Sequence, residues 1–274
     1  MAVTMAEISK LRHMTGAGLM DCKKALAEAN NDMEAAIEII RKKGQAVAAK
    51  REDREASEGC VLAAANGKFA AIVALKCETD FVAKNEGFVN LTKKILAAVM
   101  DNAPKSLDEV KALVVDGKSV ADLIVEEIGK TGEKMELGAY EFVEAPSTVA
   151  YNHFGNKLAT VVGFNEEGVD AQVAKEVAMQ VAAMNPIAVC REEVPAKIAE
   201  QELEIGREKA REEGKPENII DRIAQGRLNK FYKENVLMEQ EFVSDNSMDI
   251  ATYLKKQSAG LKAVSFRRVN LNED

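Results

Sequence analysis

Tryptophan is absent, and histidine occurs only as His13 and His153, far apart in the chain. That excludes a Ser/His/Asp constellation and any histidine-based metal cluster, so no catalytic residue and no metal site is expected. Cysteine is sparse. Cys22, Cys60, Cys77 and Cys190 form no CxxC pair and read as reduced, mostly buried thiols of a cytosolic protein. Positive charge is not in excess either: the net charge is −8. Nucleic-acid binding needs Lys and Arg to displace counterions from phosphates, so no direct nucleic-acid partner is expected. Long apolar runs are missing as well. No stretch approaches the roughly 18 apolar residues of a membrane span, and Met1–Glu7 lacks a signal-peptide core. The expectation is a cytoplasmic chain with no membrane contact.

Nucleotide motifs fail on inspection. Asp116-Gly117-Lys118-Ser119 resembles the end of a P-loop, but the glycine required five residues before Gly117 is Ala112. Gly16-Ala17-Gly18 lacks the third glycine of a dinucleotide fingerprint, since position 21 is Asp21. Asn90-Leu91-Thr92 spells a glycosylation sequon, but inside a predicted helix. Acidic residues are plentiful, yet a carboxylate pair means little without a pocket around it. No cofactor is implied, and a binding protein is the better inference than an enzyme.

What is present is organised. Residues 5 to 44 read as three short helices. Ile8 and Leu11 mark one face, Thr15-Gly16-Ala17-Gly18 is a break, and Leu19 to Ala29 forms a second helix. Asn31-x-x-Glu34 starts a third, and Gly44 supplies its stop. Residues 45–57 turn densely charged and read as a solvated linker. An internal duplication follows. The strand–turn–strand Val61 to Lys76, with Asn66-Gly67 at its turn, is repeated as Val149 to Phe164, with Gly155-Asn156. Each leads to an apolar helix ending before Pro104 or Pro186. Leu137 to Val143 and Leu261 to Arg267 supply a third strand to each half. The fold class is α+β: a three-helix module, then two related three-stranded antiparallel sheets with helices. The division is 1–44, linker 45–57, first core half 58–145, and second core half 146–186 with 235–274. Residues 187–234 form an inserted helical hairpin turning at Gly214-Lys215-Pro216. Its thin apolar stripe (Ile198, Leu203, Ile205, Ile219, Ile220, Ile223, Leu228) is a surface on which a homodimer could pair.

The duplication isolates one segment. Leu75 and Pro104 stand 29 positions apart, Phe164 and Pro186 only 22. The first half therefore carries seven residues that its twin does without. They lie in the polar connection Cys77–Gly87, which holds Asp80 and Phe81. A phenylalanine on a connection is either tucked into its own core or aimed at another molecule. A segment the fold does not require favours the second.

Thr15-Gly16-Ala17-Gly18-Leu19-Met20-Asp21-Cys22-Lys23-Lys24-Ala25-Leu26, together with Cys77-Glu78-Thr79-Asp80-Phe81-Val82-Ala83-Lys84, closely resembles the bacterial elongation factor Ts family. The likeness covers nearly the whole chain in the same order. It implies a guanine-nucleotide exchange factor with no catalytic chemistry of its own. Such a factor binds the GTPase elongation factor Tu with GDP and promotes exchange for GTP by perturbing the Mg²⁺ and nucleotide site. It implies a ubiquitin-associated-like fold for the N-terminal module. Arg12, Leu19 and Met20 match positions that touch the GTPase, and Thr79, Asp80, Phe81 and Val82 match the segment that dislodges Mg²⁺. His153 matches a position near the contact. In some members the hairpin mediates dimerisation, and some continue past the last strand into a further helix, which an end at Asp274 leaves out. Two other classes fit parts of the sequence. A peptide-binding adaptor would explain residues 5 to 44 and the hairpin but not Phe81. An acid/base enzyme with carboxylates between the core halves lacks a motif.

Overall fold

The computed structural model describes residues 3–273, so the expectation attached to an end at Asp274 lies outside the described residues. Two compact units are present. One comprises the chain up to Leu62, Val73–Tyr140 and the residues from Asn270; the other comprises Ala63–Ile72 and Glu141–Val269.

The first unit opens with α1 (Met5–Thr15), α2 (Leu19–Glu28) and α3 (Met33–Lys50). Thr4 and Glu7 cap each other's backbone at the start of α1. Ile8, Leu11, Ala17, Cys22, Ala25, Leu26 and Ala36 form the small core of this module. Asp32, not Asn31, caps α3; Asn31 instead takes the left-handed conformation that ends the α2–α3 connection, at φ 66°. Gly44 does not end α3, which runs on to Lys50 through Gln45-Ala46-Val47-Ala48-Ala49. Strong helix formers on that side outweigh one glycine. The charged stretch is correspondingly less free than a linker: Arg51 closes α3 and its guanidinium donates to Glu78 at 3.2 Å.

Next come β1 (Glu58–Ala65), β2 (Phe69–Cys77), α4 (Asp80–Ala83), α5 (Glu86–Asn102) and α6 (Leu107–Ala112). The short pair β3 (Val114–Val115) and β4 (Lys118–Ser119), then α7 (Val120–Thr131) and β5 (Met135–Glu144), complete this half. The sheet order is β1-β2-β5. β2 is central and buried along nearly its whole length, as its unbroken apolar run Phe69–Leu75 requires. Phe88, Ile95 and Val99 of α5 are fully buried.

The second half repeats this order. β6 (Ser147–Asn152) and β7 (Leu158–Phe164) pair antiparallel with Ser147 opposite Phe164, and α8 (Ala171–Met184) follows. After the hairpin α9 (Ala196–Glu212) and α10 (Glu217–Asn235) come β8 (Glu241–Phe242), β9 (Asp245–Asp249), α11 (Ile250–Gln257) and β10 (Ala263–Asn270). The sheet order is β10-β7-β6, with β7 central as β2 is. The helix ends match too: α5 and α8 close on left-handed residues, Ala103 and Asn185, each directly before a proline. Strand β6 stops at Asn152, so Phe154, expected within the strand, stands at the hairpin tip with 98% of its surface exposed. Phe164, Val177, Val181, Leu237, Ile250 and Leu254 fill the core of this half.

The hairpin spends much of its stripe internally. Ile220, Ala224 and Leu228 of α10 and Gly206 and Ala210 of α9 are buried, with Gly206 packed on Ala224. At its base Arg191 grips the Glu239 carboxylate, donates to Asn229 at 3.0 Å and lies 4.7 Å above the Tyr232 ring. Among the described residues no helix is long and apolar enough to cross a membrane.

Candidate functional site

The Cys77–Gly87 connection contains a helical turn rather than the open loop expected. Thr79 adopts an extended backbone and caps α4, its hydroxyl accepting from the Val82 N–H at 3.4 Å. Successive residues on a helix are rotated by about 100°, so positions two apart face nearly opposite ways. Ala83 is buried and anchors the turn; Phe81 therefore points out, with 84% of its surface exposed. Val82 is half-buried between them.

The turn is held from beneath by residues distant in sequence. Glu133, just past the end of α7, accepts the Thr79 backbone N–H at 3.0 Å and the Thr79 hydroxyl at 2.7 Å. Next to it, the Glu78 carboxylate receives Arg51 from the end of α3 and the Lys134 N–H at 2.6 Å. The Lys134 ammonium in turn donates to the Glu52 carbonyl at 2.9 Å. The end of α3, the entry to α4 and the exit of α7 thus form one polar knot. Cys77 lies under it, its thiol donating to the Thr79 carbonyl at 3.3 Å. Burial above all, with the Glu133 charge next, pushes the Cys77 pKa up to about 12. That thiol stays protonated and serves as a donor. On the outer side, Asp80 pairs with Lys84 one turn on at 2.6 Å. Donating to this carboxylate raises the Lys84 pKa.

Within the same unit, the N-terminal module presents a second exposed group. Leu19 and Met20 sit in the first turn of α2 with 41% and 58% of their surface exposed, and Met14 in the last turn of α1 is 54% exposed. Arg12 is exposed on the last turn of α1. The Gly16 turn that places them takes φ +68°, and the Lys130 side chain from α7 lies directly against it. Gly44 and Gly129 bring α3 and α7 together backbone to backbone. A cavity of about 110 Å³ opens beside this crossing, lined by Met14, Ile37, Ile40 and Lys130 among others.

His153 belongs to the other unit. It is exposed at the β6–β7 tip beside Phe154, and its Nδ1 shares a hydrogen bond of 3.0 Å with the Tyr151 hydroxyl.

A model of the family described as elongation factor TS matches residues 78–273, starting one residue before the Thr79 cap. The chain belongs to the elongation factor Ts family. A relative of that name from Porphyromonas gingivalis is 60% identical over 275 residues, covering all of both chains. One from Azobacteroides pseudotrichonymphae is 56% identical over 272 residues, 99% of each chain. One from Amoebophilus asiaticus is 50% identical over 273 residues, 98% of this chain and 99% of that one. These full-length matches take in the N-terminal module, which the family model leaves out. The family's name places it in the elongation step of protein synthesis.

The supports of the site escaped the sequence reading. Glu133 lies 54 positions from Thr79, Lys134 56 from Glu78, and Arg51 27 from Glu78. No periodic signal links such pairs. The one local clue is Thr79 itself, a cap-forming residue before Asp80.

Proposed function

We propose that this chain is a guanine-nucleotide exchange factor for the GTPase elongation factor Tu, acting in the cytoplasm through the Phe81 turn. One observation carries the reading: a large apolar ring stands 84% exposed on a turn whose base is tied down by Glu133 and Glu78. Isolated exposed aromatics are common, but a seven-residue addition whose only outward apolar group is a phenylalanine, on a braced turn, suits a wedge.

Mg²⁺ holds phosphate oxygens and GTPase side chains in near-ideal octahedral geometry. A ring pressed beside that site displaces its neighbours, and the coordination degrades. Covering the Phe81 ring contributes about 1.5–3 kcal/mol towards that displacement. Asp80 must leave Lys84 to bond partner groups near the metal; one carboxylate on a helical turn is no cage for the ion, so it directs rather than ligates. Arg12, Leu19 and Met20 supply a second contact on the nucleotide-binding domain, and His153 a third from the other unit. Linkage makes the effect reciprocal: a factor that weakens nucleotide binding binds the nucleotide-loaded GTPase more weakly itself. The chain makes and breaks no covalent bond in this scheme.

The test is release of a fluorescent GDP from elongation factor Tu into excess unlabelled GDP. The chain should accelerate release, and Phe81→Ala should remove most of the acceleration. An unchanged release rate with the wild-type chain would sink the reading. Full activity of both Phe81→Ala and Asp80→Ala would sink the wedge.

A further inference from the structure

The two exposed groups assigned to the GTPase are carried by one helix end. Lys130, in the last turn of α7, lies against the Gly16 turn that leads into Leu19 and Met20. Three residues later Glu133 spends both carboxylate oxygens on Thr79. Between them Gly132 ends α7 in the left-handed conformation and turns the chain towards α4.

The geometry points to Glu133 as a positioning residue for nucleotide exchange, one that sets the pose of Phe81 by holding Thr79. This inference rests on the exchange reading above. The Thr79 hydroxyl has one hydrogen, and Glu133 takes it at 2.7 Å. That leaves the hydroxyl oxygen free to accept from Val82 N–H, which is the cap of α4. The backbone N–H of Thr79 is spent on the other carboxylate oxygen. Both bonds to an ionised acceptor are of the stronger kind. Without Glu133 the hydroxyl can rotate and the N–H loses its partner. The turn is only four residues long, so it has few other bonds to fix the direction of Phe81. The ring itself is not packed on this chain, since it is 84% exposed. Its direction is therefore set by the backbone of the turn, which buried Ala83 anchors at one end and Thr79, held by Glu133, at the other. The contact made by Leu19 and Met20 is supported separately, through Lys130. Affinity and catalytic effect on release should thus respond to different residues.

The experiment is stopped-flow release of fluorescent GDP from elongation factor Tu at increasing concentrations of the full chain. It yields a plateau rate and a half-saturating concentration. Glu133→Ala should lower the plateau about tenfold, because an ångström of misplacement can cost up to about a hundredfold. The half-saturating concentration should stay within about twofold, a small shift beside the tenfold change in affinity that corresponds to about 1.4 kcal/mol. Glu133→Gln should recover most of the plateau: its amide oxygen still accepts from the Thr79 N–H, and its NH₂ can donate to the hydroxyl. In a Phe81→Ala background, Glu133→Ala should change nothing further. A plateau equal to wild type, or an equal loss with and without Phe81, would overturn the inference while leaving the exchange reading intact. If Glu133→Ala fails to fold, Thr79→Val decides by the same plateau, with Glu133 in place and the hydroxyl gone. Failure of the wild-type chain to accelerate release would overturn the exchange reading and this inference with it.

Discussion

Gly129 of α7 meets Gly44 of α3 so closely that a Cβ on Gly129 would stand 2.9 Å from the Gly44 Cα. Real Cβ atoms do not approach a backbone carbon that closely, so α7 comes this near α3 only because position 129 lacks a side chain; a Cβ on Gly44 would stand in ordinary contact, 3.7 Å from the Gly129 Cα. The contact fixes where the N-terminal module sits on its own unit, and with it where Leu19 and Met20 are presented.

Gly129→Ala puts two effects in competition. Alanine in a helix interior is favoured over glycine by about 1 kcal/mol. Against that, the new methyl must push α3 away and loosen the Lys130 contact on Gly16. The second effect should win: Tm should fall, and the half-saturating concentration in GDP release should rise while the plateau rate holds. A rise in Tm with unchanged release would show that the crossing yields without cost.

Phe81→Ala should separate function from stability. The ring is 84% exposed, so removing it should change the unfolding free energy by less than about 0.5 kcal/mol, as for other surface positions. Urea unfolding should give the wild-type midpoint in the same preparation whose exchange activity is lost. A clear drop in the midpoint would mean that the ring is part of its own core.

Gln240→Leu should be among the costly substitutions. Its side chain is fully buried and donates to the Glu234 carbonyl at 2.9 Å and the Met184 carbonyl at 3.4 Å, and it accepts from Gln180 at 3.3 Å. Leucine fills the space but strands those groups, each worth about 1–3 kcal/mol when buried and unsatisfied. Urea unfolding should show a loss of that order. The bonds tie the end of α8 to the base of the hairpin, so protease cleavage at the α10 end should also accelerate.

Stability should fall on the alkaline side. Burial pushes Cys60 from 9.0 to about 11 and Cys77 from 9.0 to about 12. Both folded values lie above the unfolded one, so the stabilisation is complete below pH 9 and is lost as pH rises from there towards 11 and 12. In that window the unfolded chain gives up protons that the folded chain keeps, which favours unfolding. Urea midpoints should decline between pH 9 and 11, less steeply in Cys77→Ala. Alkylation of both thiols at pH 8 should be slow until the chain is unfolded.

Elements with a local signal were legible in the chain. The unbroken apolar run Phe69–Leu75 and its echo Leu158–Phe164 announced two central buried strands, and β2 and β7 occupy those places. The prolines after Ala103 and Asn185 marked both helix ends. Gly44 misled, because a glycine reads the same whether it ends a helix or admits a neighbouring one, and only the approach of Gly129 distinguishes the two. The connection around Phe81 misled in a similar way. Its polar residues suggested a loop, whereas Thr79 caps a turn while its hydroxyl donates to the distant Glu133.

The order of strands and helices, the duplication and the extra segment carrying Phe81 were determined by the chain alone, since hydrophobic periodicity and turn residues act between near neighbours. Which way Phe81 faces, what braces Thr79 and where Gly44 sits were decided only by the tertiary structure. Those properties depend on Glu133, Lys134 and Gly129, whose partners lie tens of residues away and whose bonds exist only once the helices have packed.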